Sequence, residues 1–375
     1  MNRRCGSVKC EAHAGLTSAR RLVDELRAAA DEKDVGTVTT MSTPSEPGPS
    51  EIAGERRHLL NLAYRLLGSV TEAEDAVQET YTRWYAMPRP RQEAIESPGA
   101  WLTTVATRVC LDLLGSARAR RERYVGAWIP EPLPDRTEWT GGPSGGAGAD
   151  SADPADQVTL DESVSMAFLV VLESMTPAER VAFVLHDVFR YPFPEVADMV
   201  GRTPAACRQL ASSARRRVRA ARGEVGAVGR AAVRPGGPTA AATATIPTTS
   251  AAGPGQAVLV RRFKEAWEAK DIGALVDLLD PGATMTADGG GLVGTVLRPV
   301  DGSERIAQYL INIADKAPGL TLLERTVNGL PGLVAQQAGI TMTVAAFSLA
   351  DDRISRIWAI RNPEKLRPWT EYGQE

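Results

Sequence analysis

The 375-residue chain is poor in cysteine and histidine, and no stretch of it is apolar for long. Its four cysteines, Cys5, Cys10, Cys110 and Cys207, are too few and too scattered for a disulfide framework. Cys5, Cys10 and His13 lie near one another but have no fourth ligand close by, so no metal centre and no cofactor is expected. No apolar run approaches the roughly 18 residues that would mark a transmembrane helix. Arg3 and Arg4 have no apolar segment behind them, so the start does not read as a secretory signal, and a cytoplasmic protein without a membrane partner is expected. All three histidines, His13, His58 and His186, precede the last third of the chain. That third therefore lacks the usual acid–base side chain, and no residue is assigned to catalysis.

What is present is an uneven charge distribution. The net charge is only −3, yet arginines gather at 118–123 and 202–222, whereas acidic residues gather at 72–79 and 131–161. A split of this kind suits one surface for nucleic acid and another for a basic protein.

Residues 1–50 end in a polar, proline-rich stretch with no core pattern and read as a disordered or non-native extension; Met41 is a plausible alternative start. Residues 51–124 are helical in pattern. Stripes run through Leu59–Leu67, Ala73–Trp84 and Trp101–Leu114, with Thr71 and Glu74 as an expected capping box. Residues 125–156 form a linker that is mostly Gly, Pro, Ala and Asp, but its opening YVGAWIPEPLP carries Trp128, Ile129 and Leu133 as apolar anchors expected to dock. Helices are expected again over 157–222, then a disordered linker over 223–254. From 255 to 375 two amphipathic helices, short alternating runs (GLVGTVLRPVD among them) and one further helix predict an α+β cone: a curved sheet wrapped on a helix and enclosing a pocket.

The segment PEVADMVGRTPAACRQL has the layout of a helix-turn-helix. Gly201 supplies a sharp exit, Thr203 an N-cap and Pro204 the first helical position. In such docking the start of the second helix reaches base edges and flanking cations hold phosphates.

These residues resemble a known family. EAEDAVQETYTRWY with PGAWLTTVATRVCLDLLGSARARRERY is similar to regions 2.2 to 2.4 of bacterial extracytoplasmic-function sigma factors of the sigma-70 family, and the helix-turn-helix resembles their region 4. The C-terminal 120 residues resemble the SnoaL-like, NTF2-like fold. Sigma factors with such a fused domain carry motifs like WIPEPL, DGGG and NPxKL, here Trp128–Leu133, Asp288–Gly291 and Asn362–Leu366.

The resemblance implies two all-α sigma domains followed by the α+β domain. It implies binding to core RNA polymerase, through the β′ clamp helices at Asp75, Gln78 and Glu79 and through the β flap. Asp75 and Glu79 are four apart and share a helix face. For the −10 element it implies Arg108, Arg118, Arg120 and Arg121. The family often carries Asn near Thr107 or Arg108, and this chain does not. Trp101 reads as core before base-stacking residue. For the −35 element the residues are Arg202, Thr203, Pro204, Ala205, Arg208, Gln209, Ser212, Arg215 and Arg216, with Arg208 and Gln209 on base edges and Arg215 to Arg217 on phosphates.

The C-terminal domain is expected to act in cis in place of a separate anti-sigma factor. Its regulatory contacts would be Trp128, Pro130, Glu131, Pro132 and Leu133 in the linker, Asp288, Gly289, Gly290 and Gly291 in the loop, and Asn362, Pro363, Glu364, Lys365 and Leu366 at the end. A stand-alone helix-turn-helix regulator with a ligand-sensing pocket is the alternative. It leaves the acidic DAVQET helix without a purpose.

Overall fold

The structure is a computed structural model that describes residues 49–121, 124–134, 164–228 and 252–370. The N-terminal extension with Cys5, Cys10 and His13, the Gly-rich part of the first linker and residues 229–251 lie outside the described residues. Among the described residues no helix is long and apolar enough to cross a membrane.

The first helical unit comprises α1 (Pro49–Leu67), α2 (Val70–Tyr85), the short α3 (Arg89–Glu93) and α4 (Pro98–Arg121). Pro98 and Gly99 lie in the first turn of α4, where a missing N–H costs nothing. The cap of α2 is Ser69 and not Thr71: Ser69 is extended at φ −134°, and its hydroxyl accepts from the Glu72 N–H at 3.2 Å. Gly68 leaves α1 at φ 70°, so Ser69 is the first extended residue and Thr71 is already helical.

The second helical unit comprises α5 (Met166–Glu173), α6 (Pro177–Phe183), one turn of π-helix (Val184–Val188), α7 (Phe193–Val200) and α8 (Pro204–Val228). Thr176 and Glu179 form a reciprocal capping box on α6. Gly201 takes φ 70° to end α7, and Thr203 caps α8 through the Ala206 N–H at 3.2 Å. The helix-turn-helix is therefore built as its residues suggest, and α8 runs on to Val228.

The two units share one core. Leu62, Ala76 and Ala106 of the first are buried in the same cluster as Phe183, Val196 and Cys207 of the second. Two polar contacts fasten them. The Arg108 guanidinium donates to the carbonyls of Met199 (3.2 Å) and Asp198 (3.0 Å), the unsatisfied end of α7. His58 hydrogen-bonds the Tyr191 hydroxyl at 3.0 Å and meets the Phe189 ring edge-on at 5.3 Å.

The C-terminal domain runs α9 (Ala252–Glu268), α10 (Ile272–Leu278), β1 (Leu279–Asp288), β2 (Val300–Asp301), α11 (Ser303–Lys316), β3 (Leu320–Val327), β4 (Leu330–Gln337), β5 (Ile340–Ala350), β6 (Arg353–Ile360) and α12 (Arg367–Thr370). The sheet order is β2-β1-β6-β5-β4-β3, antiparallel except for the parallel β1–β6 pair. This is the expected α+β domain, one six-stranded mixed sheet packed on helices. GLVGTVLRPVD is not a strand beyond Val300 and Asp301. Its glycines and Pro299 lend themselves to turns, and residues 290–293 and 297–298 form turns and bends.

Successive residues of β4 and β5 enter opposite cores. Leu333, Ala335, Ala345 and Phe347 face α9 and α11, whereas Val334, Val344 and Ala346 pack with Ile129 of the first linker and Met166 of α5. The sheet is thus covered on both faces, by its own helices on one and by the sigma-like part of the chain on the other.

Burial depresses the His58 imidazole below its ordinary value of 6.5. The unfolded chain then takes up a proton before the folded one, so stability held at neutral pH is lost as the pH falls from 6.5 through the lower folded value. His58→Gln is expected to flatten this dependence, read as urea midpoints between about pH 5 and 7.5. An unchanged slope would assign it to other groups.

Candidate nucleic-acid interface and domain lock

The expected polymerase-facing residues Asp75, Gln78 and Glu79 are all exposed on α2, whose opposite side buries Ala73, Ala76, Val77 and Thr80. Glu79 pairs with Arg83 at 3.0 Å, both about half exposed, a surface contact of little energetic weight. On the helix-turn-helix, Arg202, Thr203, Ala205, Arg208, Gln209, Ser212 and Arg216 are exposed and Pro204 is half-buried. Arg208 lies 5.5 Å from the Phe193 ring centroid.

Arg215 is different. Its Nε donates to buried Asp187 at 2.6 Å, and Arg217 lies 3.6 Å from Glu179. Burial pushes the Asp187 carboxyl up, against the pull of Arg215. Burial also acts to raise Glu179, but hydrogen bonds from Ser213 and Thr176, with Arg217, leave it lowered. Of the three arginines expected on phosphate, Arg215 is thus tied to the helical core, whereas Arg216 is exposed and Arg217 stays about half exposed beside Glu179. Of the −10 candidates, Arg108 is the residue that closes α7, and the side chains of Arg118, Arg120 and Arg121 lie outside the described residues. Trp101 is half-buried against Trp84, ring centroids 5.2 Å apart.

The three motifs of the regulatory expectation meet in one place. Asp288 ends β1, is fully buried, and has both carboxylate oxygens doubly satisfied. Oδ1 accepts from the Tyr124 hydroxyl (2.6 Å) and the Gly290 N–H (3.0 Å); Oδ2 accepts from the Ile129 N–H (3.0 Å) and from Lys365 Nζ (2.8 Å). The Lys365 ammonium also donates to the Ile129 carbonyl and sits 4.1 Å from the Trp128 ring centroid. Asn362 donates to the Tyr124 hydroxyl at 2.9 Å and accepts from the Glu364 N–H at 3.0 Å, turning the chain at exposed Pro363. Burial, then the bond to Asp288, push the Tyr124 phenol up, so it stays protonated and donates. Gly290 has φ 64°, and a Cβ there would lie 2.5 Å from Asn362 Nδ2. Gly289 is buried, and Gly291 lies against Val125.

The linker 128–134 has no regular secondary structure beyond an isolated antiparallel bridge of Pro134 to Val327, and it serves both sides of the molecule. Trp128 and Pro130 pack over Gly68, and the Glu131 carboxylate accepts from the Ser69 hydroxyl and the Val70 N–H, each at 2.7 Å. An anion thereby sits at the start of α2. Burial raises the Glu131 carboxyl despite those two bonds and the Lys365 charge. Toward the other side, Pro132 accepts from Trp369 Nε1 at 2.8 Å, and Leu366 is buried beside Ile129.

Leu133 exchanges two bonds with Asn328: N–H to Oδ1 at 3.1 Å, and carbonyl from the Asn328 N–H at 2.9 Å. Asn328 also donates to the Tyr64 hydroxyl (2.9 Å) and the Val164 carbonyl (3.0 Å), so one residue of the β3–β4 turn ties the linker, α1 and the entry to α5 together. The Tyr64 hydroxyl in turn donates to the Glu131 carbonyl at 2.7 Å. Sequence reasoning misses Tyr64, Ser69, Tyr124, Asn328 and Trp369. The NG turn is visible in it; the cue to Asn328 is that it stands between Val327 and Gly329 in left-handed backbone, φ 52°, which favours Asn.

Comparison with known proteins follows the same division. The Sigma-70 region 2 family matches residues 52–120, and the Sigma-70, region 4 family matches residues 165–218. The ECF RNA polymerase sigma factor SigJ of Mycobacterium tuberculosis is 36% identical over 84% of this chain and 92% of its own length. The probable ECF RNA polymerase sigma factor SigI of the same species is 32% identical over 86% of this chain and 96% of its own. The crystal structure of SigJ aligns over 85% of this chain and 98% of that one, with TM-score 0.60 and 32% identity.

Removing one partner of a buried ion pair strands the other. Lys365→Met is therefore expected to lower stability by about 3–5 kcal/mol, and adding Asp288→Asn to recover part of it. Urea denaturation of the two variants measures both; equal losses would mean that the pair is not coupled.

Proposed function

Because the chain belongs to the extracytoplasmic-function sigma factors, which bind core RNA polymerase and direct it to promoters to initiate transcription, we propose that its C-terminal domain regulates that activity in cis. The observation that carries the proposal is the buried Asp288–Lys365 lock on the linker, joined by the Asn328 staple. Its bonds to Tyr124, Ile129, Leu133 and Tyr64 tie the C-terminal domain to the linker and to α1.

Geometry gives the lock a consequence. The −35 and −10 elements are named for positions 25 base pairs apart, roughly 85 Å of B-form DNA at about 3.4 Å per step. In the closed chain Arg108 of the first helical unit touches the carbonyl end of α7 in the helix-turn-helix. Two reading surfaces packed side by side cannot span that separation. Engagement of a promoter then requires the units to part, freeing Arg108 for the −10 strand beside Arg118, Arg120 and Arg121. The exposed Arg202, Thr203, Ala205, Arg208, Gln209, Ser212 and Arg216, with Pro204, serve the −35 major groove, and Arg215 supports the helix through Asp187. Asp75, Gln78 and Glu79 meet the β′ clamp helices in the cytoplasm, and the helix-turn-helix unit meets the β flap. Regulation from within the chain takes the place of a separate anti-sigma protein.

The sigma-factor family is non-enzymatic, and we read the C-terminal domain as a regulator and not an enzyme. Its one suggestive carboxylate, Asp288, already accepts four hydrogen bonds and has no free lone pair to offer a substrate.

Transcription in vitro with core polymerase tests the proposal. Full length, a chain ending at 228 and the Lys365→Met variant are expected to differ several-fold in promoter-directed initiation. Identical activity in all three would sink cis regulation while leaving the sigma assignment intact. Asp75→Ala with Glu79→Ala is expected to weaken core binding about tenfold, read by pull-down, whereas unchanged affinity would displace the contact from this face of α2.

A further inference from the structure

The C-terminal sheet and its helices α9 and α11 enclose a cavity of about 110 Å³ that the lock does not use. Its floor is apolar: Phe263, Trp267, Leu322, Leu333 and Phe347 line it and are buried. Its half-buried rim includes Gln337 and Arg361. No Asp, Glu or His lines it, and Tyr309 is the one phenol in the lining. Arg361 is the one charged residue in the lining, and among the described residues its guanidinium forms no ion pair. It donates instead to the Gly294 carbonyl at 2.5 Å, in the loop that follows the three glycines. Its own N–H donates to the Asp288 carbonyl at 2.7 Å.

We infer that this cavity binds a small carboxylate with an apolar body, the body on the aromatic floor and the carboxylate on Arg361. An apolar void of about 150 Å³ accepts benzene, so a cavity of about 110 Å³ takes a body no larger than one six-membered ring, with the carboxylate carried outside it at the rim. Arg presents a planar fork that matches a carboxylate, and a cation on an apolar rim gains most from an anion. The Gly294 carbonyl is a neutral acceptor and the weaker competitor for that fork. Binding therefore draws Arg361 off Gly294 and alters the loop that carries Gly290 against Asn362. The site stands on the cavity and Arg361 alone; its use as a signal input rests on the cis-regulatory reading above.

Phenylacetate serves as the probe and its neutral isostere phenylacetamide as the control, titrated calorimetrically into the full chain. The acid is expected to bind saturably at one site, about ten to 100 times more tightly than the amide, the range of a charge-assisted bond. Arg361→Gln is expected to bring the two to parity, and Ala345→Phe, which fills the floor, to abolish both. Hydrogen exchange at residues 289–294 is expected to change on adding the acid. Equal affinity for acid and amide in the unaltered chain, or no saturable binding by either, overturns the inference. That comparison needs no variant, so it stays decisive even where a variant fails to fold. Binding without any effect on transcription would retain the site and remove only its regulatory use.

Discussion

A buried charge must be answered, and Asp288 is the place where this chain meets that requirement. A fully buried carboxylate without donors would cost several kcal/mol. The four donors come from the first linker, from the glycine loop and from the C-terminal turn, segments separated by up to 241 positions between Tyr124 and Lys365. The carboxylate is satisfied only when all three have arrived. That makes the assembly close to all-or-none, since removing one segment leaves the rest with an unpaired buried ion. The Lys365 ammonium has the same need from the other side, and the Ile129 carbonyl and the Trp128 face meet it.

Much of this is legible in the sequence. Helix stripes, the glycine exit and the Thr203–Pro204 start of α8 follow from local rules, and local rules hold there. The three motifs are recognisable as motifs, but nothing in their spacing says that they share one carboxylate. Side-chain bonds across more than 200 positions have no sequence period. Tyr64 and Asn328 escape notice for that reason: each looks like an ordinary core tyrosine or turn asparagine until its partner is in view. A different clue is available. VAAF in β5 and IWAI in β6 are apolar at successive positions, whereas a sheet with one wet face alternates. A strand apolar on both sides must be covered on both, and the second cover is Ile129, Met166 and their neighbours.

The arginines of the helix-turn-helix divide into two kinds that charge counting cannot separate. Arg208, Arg216 and Arg217 stand exposed, Arg217 beside Glu179, whereas Arg215 answers buried Asp187 on the inner side of the same helix. Periodicity explains it: Arg215 lies four residues from buried Ala211, on the face that packs inward. A basic run on a helix thus leaves one stripe exposed and commits another to its own fold. The turn of π-helix at Val184–Val188 helps, placing Asp187 where Arg215 reaches it.

The linker uses its Glu131 carboxylate on the start of α2 and its Ile129 and Leu133 backbone on the C-terminal domain. Two surfaces that compete for or cooperate through one segment are thermodynamically linked, and linkage has no preferred direction. Whatever factor the C-terminal domain imposes on the affinity of the helical units for their macromolecular partner, that partner imposes on the closure of the C-terminal domain. On the regulation proposed above, polymerase is then as much an effector of the small domain as the small domain is of polymerase.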